Sequence, residues 1–278
     1  MSSIEIVFPG TRLQLDPESP GFAHGFGLFE TLRLRGGRLE LWSSHWQRLV
    51  DSAAVLGVAC NYDAGAVLEA VRQLAQALPA EAVIKLSLLQ TSPSPRLVVY
   101  SRPLMAQPAT LGLLLDCPFT LNENSPLAGH KTHNYLENLL VLQCARAAGC
   151  LDAVRLNTQG HLAEGAISNL FFYRDAAWHT PALSCGLLPG VMRGALLVCL
   201  EVQQGHYRTA DLAGAEAVFV SNSTLGLQPV DYLHGKLQPI RLQSRTHACY
   251  AQARQLLADS LAARSIALAG TASSVATR

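Results

Sequence analysis

Two alternating runs, Phe29–Arg35 and Arg38–Trp42, meet at Gly36-Gly37. A period of two sends successive side chains to opposite faces, and a glycine pair supplies the positive-φ backbone of a tight hairpin. Strands joined this way are antiparallel and need no helical crossover. The start of the chain is therefore predicted to build an antiparallel sheet, which argues against a doubly wound fold.

Helical signals follow. Ser43 or Ser44 is placed to cap a helix whose apolar residues Trp46, Leu49, Ala53 and Leu56 form one stripe ending at Gly57. A second helix is predicted over about 62–78. Residues 3–8, 82–89, 97–101 and 111–115 read as strands, with the Ser/Pro stretch 91–95 joining two of them. The polar segment 117–130, containing Pro118, Pro126 and Gly129, is the linker candidate. Beyond it come a helix at 134–148 closed by Gly149, strands at 152–156, 168–173 and 216–221, and helices at 191–203 and 241–264. The small, polar tail Ala267–Arg278 is expected to fray. Two halves that each mix strands and helices predict an α+β protein. Its expected domains are a smaller one at 1–116, the linker at 117–130 and a larger one at 131–278.

A length of 278 residues suits two domains. Hydrophobic residues make up 49% and charged ones only 15%, which points to a large buried surface such as a subunit interface. A membrane span is not expected, because runs such as Ala195–Leu200 fall far below the roughly 20 residues required. Met1–Phe8 contains Glu5 and lacks a basic start and a long apolar core, so no secretory signal is expected and the cytoplasm is the expected location. A net charge of +1 without a basic stripe gives no electrostatic case for nucleic acid. The seven cysteines are scattered and never form Cys-x-x-Cys, so neither a metal site nor a disulfide framework is expected.

Two residues carry the chemical signal. Lys131 sits in His-Lys-Thr-His-Asn-Tyr-Leu-Glu-Asn (130–138), just before an apolar helical segment. Glu164 sits in Leu-Ala-Glu-Gly-Ala-Ile-Ser-Asn-Leu-Phe-Phe (162–172), between strand-like runs. An amine able to form an imine and a carboxylate able to keep a ring nitrogen protonated are what pyridoxal phosphate chemistry requires. Leu188–Arg193, before a helix, and Val220–Gly226, after a strand, offer amides and hydroxyls to a phosphate. Each feature alone has a plain alternative: a surface lysine, a turn glutamate after Gly160, ordinary loop chemistry, and for Arg48 a solvated helix face.

These segments occur in one order with His-Gly-Phe-Gly-Leu-Phe-Glu-Thr-Leu-Arg (24–33), His-Trp-Gln-Arg-Leu (45–49), Leu-Pro-Gly-Val-Met-Arg (188–193) and Ser-Asn-Ser-Thr (221–224). From about residue 20 to 235 the chain resembles the class IV aminotransferase family. These are the fold-type-IV pyridoxal phosphate enzymes, with a D-amino acid aminotransferase-like two-domain fold. They include branched-chain aminotransferases, D-amino acid transaminases and 4-amino-4-deoxychorismate lyases. By this resemblance Lys131 matches the Schiff-base lysine that also moves the substrate proton, and Glu164 the carboxylate facing the pyridine nitrogen. Arg48 matches the phosphate clamp, the amides of Val191 and Met192 the phosphate-binding helix start, and Ser223 with Thr224 the rest of that cup. Tyr135 falls where branched-chain enzymes place a tyrosine near the cofactor's phenolic oxygen, and Asn169 matches a residue that supports the site without touching the cofactor.

The chain also departs from the pattern. Phe26 stands where the family usually has Asp, Met192 where many relatives have Thr, and the loop at 91–96 keeps only Arg96 of the usual arginines. The resemblance implies a pyridoxal phosphate-dependent lyase or aminotransferase acting on a small amino substrate, as a homodimer. The leading expectation is release of pyruvate from 4-amino-4-deoxychorismate to leave 4-aminobenzoate. The alternatives are a branched-chain-like or D-amino acid transaminase and, more remotely, a degenerate binding protein.

Overall fold

The computed structural model describes residues 4–104, 106, 109–236 and 238–268. The chain divides into two compact units. One comprises Met1–Met105, Lys131–Asn134 and Leu261–Arg278; the other comprises Ala106–His130 and Tyr135–Ser260. Residues 117–130 thus lie in the second unit, and Lys131–Asn134 in the first. Each unit mixes sheet and helix.

The first unit holds β1 (Ile4–Val7), α1 (Pro20–Ala23), β2 (Gly27–Arg35), β3 (Arg38–Glu40), α2 (Trp42–Leu56), α3 (Ala64–Ala75), β4 (Ala82–Leu89) and β5 (Arg96–Arg102), and closes with β16 (Ser265–Ala267). Its six strands run in the order β1-β5-β4-β2-β3-β16, antiparallel except for the β1–β5 pair. Strand alternation divides the sheet into two chemically different faces. Leu28, Leu32, Ile84, Leu86 and Leu88 pack with Leu49, Ala53, Val67 and Leu74 of the two longer helices. Phe29, Thr31, Lys85 and Ser87 alternate with them and pair across the sheet, Phe29 with Ser87 and Thr31 with Lys85. Residues 131–133 extend this sheet: the Phe29 amide donates to the Lys131 carbonyl at 2.9 Å, the His133 amide to the Gly27 carbonyl at 3.0 Å, and Thr132 bridges Leu28.

The predicted serine cap of α2 is corrected. The helix starts behind Leu41, which is in the left-handed region at φ 54°, and Ser43 and Ser44 fall inside the first turn. Leu41 buries its side chain there while its carbonyl accepts from the Ser44 and His45 amides. Gly57 ends the helix at φ 67°, a conformation glycine adopts without a Cβ penalty. The second helix is shorter than predicted because Asp63 caps it, accepting from the Ala66 amide at 2.9 Å.

The second unit carries β6 (Gly112–Leu114), α4 (Leu136–Ala147), β7 (Asp152–Leu156), β8 (Leu162–Gly165), β9 (Asn169–Arg174), β10 (Ala177–Pro181), α5 (Val191–Cys199), β11 (Val202–Gly205), α6 (Thr209–Ala213), β12 (Ala217–Asn222), β13 (Gly226–Pro229), β14 (Tyr232–His234), β15 (Ile240–Arg241) and most of α7 (Ala248–Ala263). Two five-stranded sheets, β11-β10-β9-β12-β13 and β15-β14-β6-β7-β8, share a core built on Leu113, Val154, Leu170, Phe172, Val218 and Leu233. The chain passes from the second sheet to the first at 166–168, between β8 and β9.

Two predicted helices are corrected here. The 191–203 segment stops at Cys199, because Val202–Gly205 pairs with β10 as a parallel strand. The 241–264 segment begins as helix only at Ala248, since Ile240–Arg241 pairs with β14 and Arg245 is bonded to Asp231 and the Ala109 carbonyl. Ala267, expected to fray, pairs with Arg38, and Leu268 is buried; from residue 269 the expected tail lies outside the described residues. Among the described residues no helix is long and apolar enough to cross a membrane.

Candidate active site

Lys131 reaches its place because residues 131–133 lie antiparallel along the start of β2. Side chains two apart on an extended segment share a face, so Lys131 and His133 both meet Phe29. Lys131 Nζ lies 4.4 Å from the ring centre, and the His133 ring 5.4 Å from it. Lys85 Nζ lies 3.9 Å from the same ring centre and donates to Thr31 Oγ1 at 2.7 Å. His133 Nε2 and Ser87 Oγ are paired at 2.8 Å. Gly27 makes this close approach possible, since a Cβ there would stand 2.5 Å from the Leu88 carbonyl and 3.0 Å from the His133 ring.

Burial, and then the charges of Lys131 and Arg102, push the Lys85 pKa down to about 6. Burial and the neighbouring Lys85 push His133 down to about 4. Both side chains are therefore largely neutral at pH 7, and the cluster carries less charge than its composition suggests. Lys85 was missed in the sequence. Its signal was a lone lysine amid the apolar run Ala82–Leu89.

Arg48 belongs to a different group, on the helix-packed face of the same sheet. Its Nε and Nη2 donate to the two oxygens of Glu30, each at 2.7 Å, and His45 Nδ1 lies 2.6 Å from Glu30 Oε2. Burial raises the Glu30 pKa, but the charges of Arg48 and His45 outweigh it and hold the carboxyl well below the usual range. Burial depresses His45 against the pull of Glu30. With 11% of its side chain exposed, Arg48 is not on a solvated helix face. Glu30 and His45 lie within the two quoted motifs, yet only strand β2 and helix α2 in contact reveal the triad. Phe26 is exposed, and Arg96 bonds Glu5 and the Gln14 carbonyl at the start of β5.

The second unit brings together Tyr135, Glu164, Val191, Met192 and the 222–225 loop. Glu164 Oε2 accepts from the Leu188 amide at 3.0 Å and from Asn169 Nδ2 at 3.4 Å. Asn169 Nδ2 also donates to the Leu188 carbonyl at 2.9 Å. This ties strand β8 to the segment that opens α5. Gly190 is the N-cap of α5 and offers no side-chain cap to the first-turn amides, which include those of the buried Val191 and Met192. Amides in a first turn have no intrahelical acceptor. A Cβ on Gly190 would overlap the Asn169 side-chain oxygen.

Tyr135 Oη donates to the Ala166 carbonyl at 3.1 Å, and Asn138 Nδ2 to the same oxygen at 2.7 Å. Asn222 Oδ1 accepts from the Thr224 amide, the Leu225 amide and Thr224 Oγ1 at 3.0, 2.8 and 2.9 Å. The Thr224 hydroxyl proton is thus engaged within its own loop, beside a half-buried Ser223. A helix start without a side-chain cap, a hydroxyl-bearing loop and a carboxylate held by a backbone amide form a donor and charge set that suits a phosphorylated pyridine. The first unit, taken by itself, carries two amines, Lys131 and Lys85, of the kind such a group needs as a nucleophile.

The sequence profile of the amino-transferase class IV family matches residues 27–233. The chain is 30% identical over 244 residues to an aminodeoxychorismate lyase of Vibrio harveyi, spanning 80% of this chain and 88% of that protein. It superposes on the crystal structure of 4-amino-4-deoxychorismate lyase from Pseudomonas aeruginosa with a TM-score of 0.75 and 28% identity, covering 90% of this chain and 97% of the other. Similarity to the branched-chain-amino-acid aminotransferase of Escherichia coli reaches 32% but over only 115 residues, 40% of this chain and 37% of that protein.

Proposed function

The chain belongs to the aminotransferase class IV family, and we propose that within it the protein is a pyridoxal phosphate-dependent lyase. The substrate of this reading is 4-amino-4-deoxychorismate, the products pyruvate and 4-aminobenzoate. The observation that carries it is sequence identity of 28–30% to two lyases across most of both chains. The 32% identity to the branched-chain aminotransferase extends over 40% of this chain and falls to 22–23% where the shared fold is followed across most of it. In this reading the enzyme serves folate synthesis, and the cytoplasm is the compartment we propose for it.

When bound, pyridoxal phosphate supplies an electrophilic carbon for amines and a ring that takes up the electrons of a broken bond. In this reading Lys131 is the covalent attachment point and moves the proton at the amino-bearing substrate carbon. Glu164, fixed by the Leu188 amide, keeps the pyridine nitrogen protonated. The amides of Val191 and Met192 and the Ser223 hydroxyl would hold the phosphate, and Tyr135 would stand by the phenolic oxygen. Thr224 and Arg48, which the resemblance assigns to the phosphate as well, would exchange their bonds to Asn222 and Glu30 to join them. Buried Lys85 suits a substrate bearing carboxylates, because an anion beside it favours its charged form and is then held by it.

A transaminase is the second reading, favoured by the higher local identity to the branched-chain enzyme. One end-point assay separates the two. The protein loaded with pyridoxal phosphate is supplied with aminodeoxychorismate or, separately, with an amino donor and a set of keto acids. Pyruvate and 4-aminobenzoate in equal amounts are expected, and none from Lys131→Ala. New amino acid without 4-aminobenzoate would replace the lyase by the transaminase.

A further inference from the structure

The turn at 166–168 has an unusual problem to solve. Here the chain leaves β8, which pairs with β7, and enters β9 in the other sheet of the second unit. Its amides face inward where no strand is available to accept from them, and buried amides without acceptors are costly. Asp152, at the start of β7 and 1% exposed, supplies the acceptors. Its Oδ1 accepts from the Ala153 and Ala166 amides, both at 2.8 Å, and its Oδ2 from Ser168 Oγ at 2.7 Å and the Ile167 amide at 3.3 Å. A Cβ at position 165 would overlap both this carboxylate and the Ser168 hydroxyl, so glycine lets the turn close down on it.

The other side of the same turn is wired to the candidate site. The Ala166 carbonyl takes the Tyr135 hydroxyl and Asn138, at the start of α4. The Ile167 carbonyl takes Asn222 Nδ2 at 3.0 Å, and the opposite end of that amide organises Thr224 and Leu225. Glu164 stands two residues before the turn and Asn169 directly after it. Tyr135, Glu164 and the 223–224 loop therefore take their positions from one turn, and that turn takes its position from one carboxylate.

We propose that Asp152 is a positioning residue, which sets Glu164, Tyr135 and the Ser223-Thr224 loop through the 166–168 turn without itself touching cofactor or substrate. The ligand in this proposal rests on the functional reading; the relay from Asp152 to the 224–225 loop is a property of the protein alone. Asp152→Asn keeps the shape but turns one acceptor atom into a donor that faces donors. Ser168→Ala removes one of the four bonds and leaves the turn amides in place, so it remains informative if the first variant does not fold.

Two measurements decide. In the cofactor-free protein, amide exchange by NMR is expected to accelerate by roughly tenfold or more in Asp152→Asn at Ala166 and Ile167, and also at the more distant Thr224 and Leu225. Titration with pyridoxal phosphate is expected to show affinity reduced by about tenfold or more, with a smaller shift the same way for Ser168→Ala. A carboxylate that only stabilises the fold would lower the melting temperature while affinity and the Thr224 and Leu225 exchange rates stay at wild-type values; that pattern overturns the proposal. Failure of the wild type to bind pyridoxal phosphate would instead sink the functional reading, and amide exchange at the 224–225 loop would still judge Asp152.

Discussion

Lys85 and Lys131 share one phenylalanine ring, and two ammonium groups so close would repel one another in a site that burial has already made costly for charge. Neutralising Lys85 removes that conflict. An unfolded lysine titrates near 10.5 and the folded one near 6, so between these values the unfolded chain holds a proton that the folded chain lacks. Stability contributed by this group therefore rises with pH from about 6 to about 10.5 and is lowest below 6. Lys85→Met, similar in length and apolar, should flatten that slope in the cofactor-free protein and raise the melting temperature most at pH 6. Thermal unfolding of both proteins from pH 6 to 9 measures it; parallel curves would mean that Lys85 stays charged when folded.

At the scale of elements, the close meeting of strand β9 with the start of α5 is the feature most exposed to test. Gly190 leaves no room for a Cβ against the Asn169 oxygen, and Asn169 is held from two sides, by Glu164 and the Leu188 carbonyl. Gly190→Ala should displace Asn169, cost about 1–3 kcal/mol as over-packing does, and weaken pyridoxal phosphate binding with it. Chemical denaturation and cofactor titration check both; unchanged stability would mean that α5 can shift without consequence. The contacts of this junction also mark the limit of what the sequence discloses. Lys131, Glu164 and Gly190 were legible because each sits in a contiguous motif whose chemistry is local. Lys85, the Glu30–His45–Arg48 group and Asp152 were not, since strand register and helix packing choose their partners. The ends of α5 and α7 were misjudged for the same reason: pairing of β11 with β10 and of β15 with β14 overrides helical patterning. The Leu41 entry to α2 was hidden because a leucine seldom adopts positive φ, while the two serines after it mimic a cap.

For the whole molecule, the shortage of charge requires an outlet. Only 15% of residues are charged, and α4 presents Leu136 and Leu139 at 69% and 48% exposure. Three apart on a helix, these two side chains lie on one face, and the low amphipathicity of α4 follows from apolar residues on its buried and outer sides alike. Such a face on a lone chain is an association surface unless a partner covers it. The expected partner is a second copy, the commonest arrangement for soluble enzymes being a two-fold dimer in which the same patch serves both chains. Two-fold symmetry would remove both leucines of each chain from water together. Light scattering at micromolar concentration should therefore give twice the mass of 29.8 kDa. Leu136→Glu with Leu139→Glu should weaken association on the order of 10²-fold or more, from the loss of apolar burial at four positions and the burial cost of the new carboxylates. A wild-type monomer with full turnover would refute the dimer, and a double variant that dimerises as tightly as the wild type would move the interface away from α4.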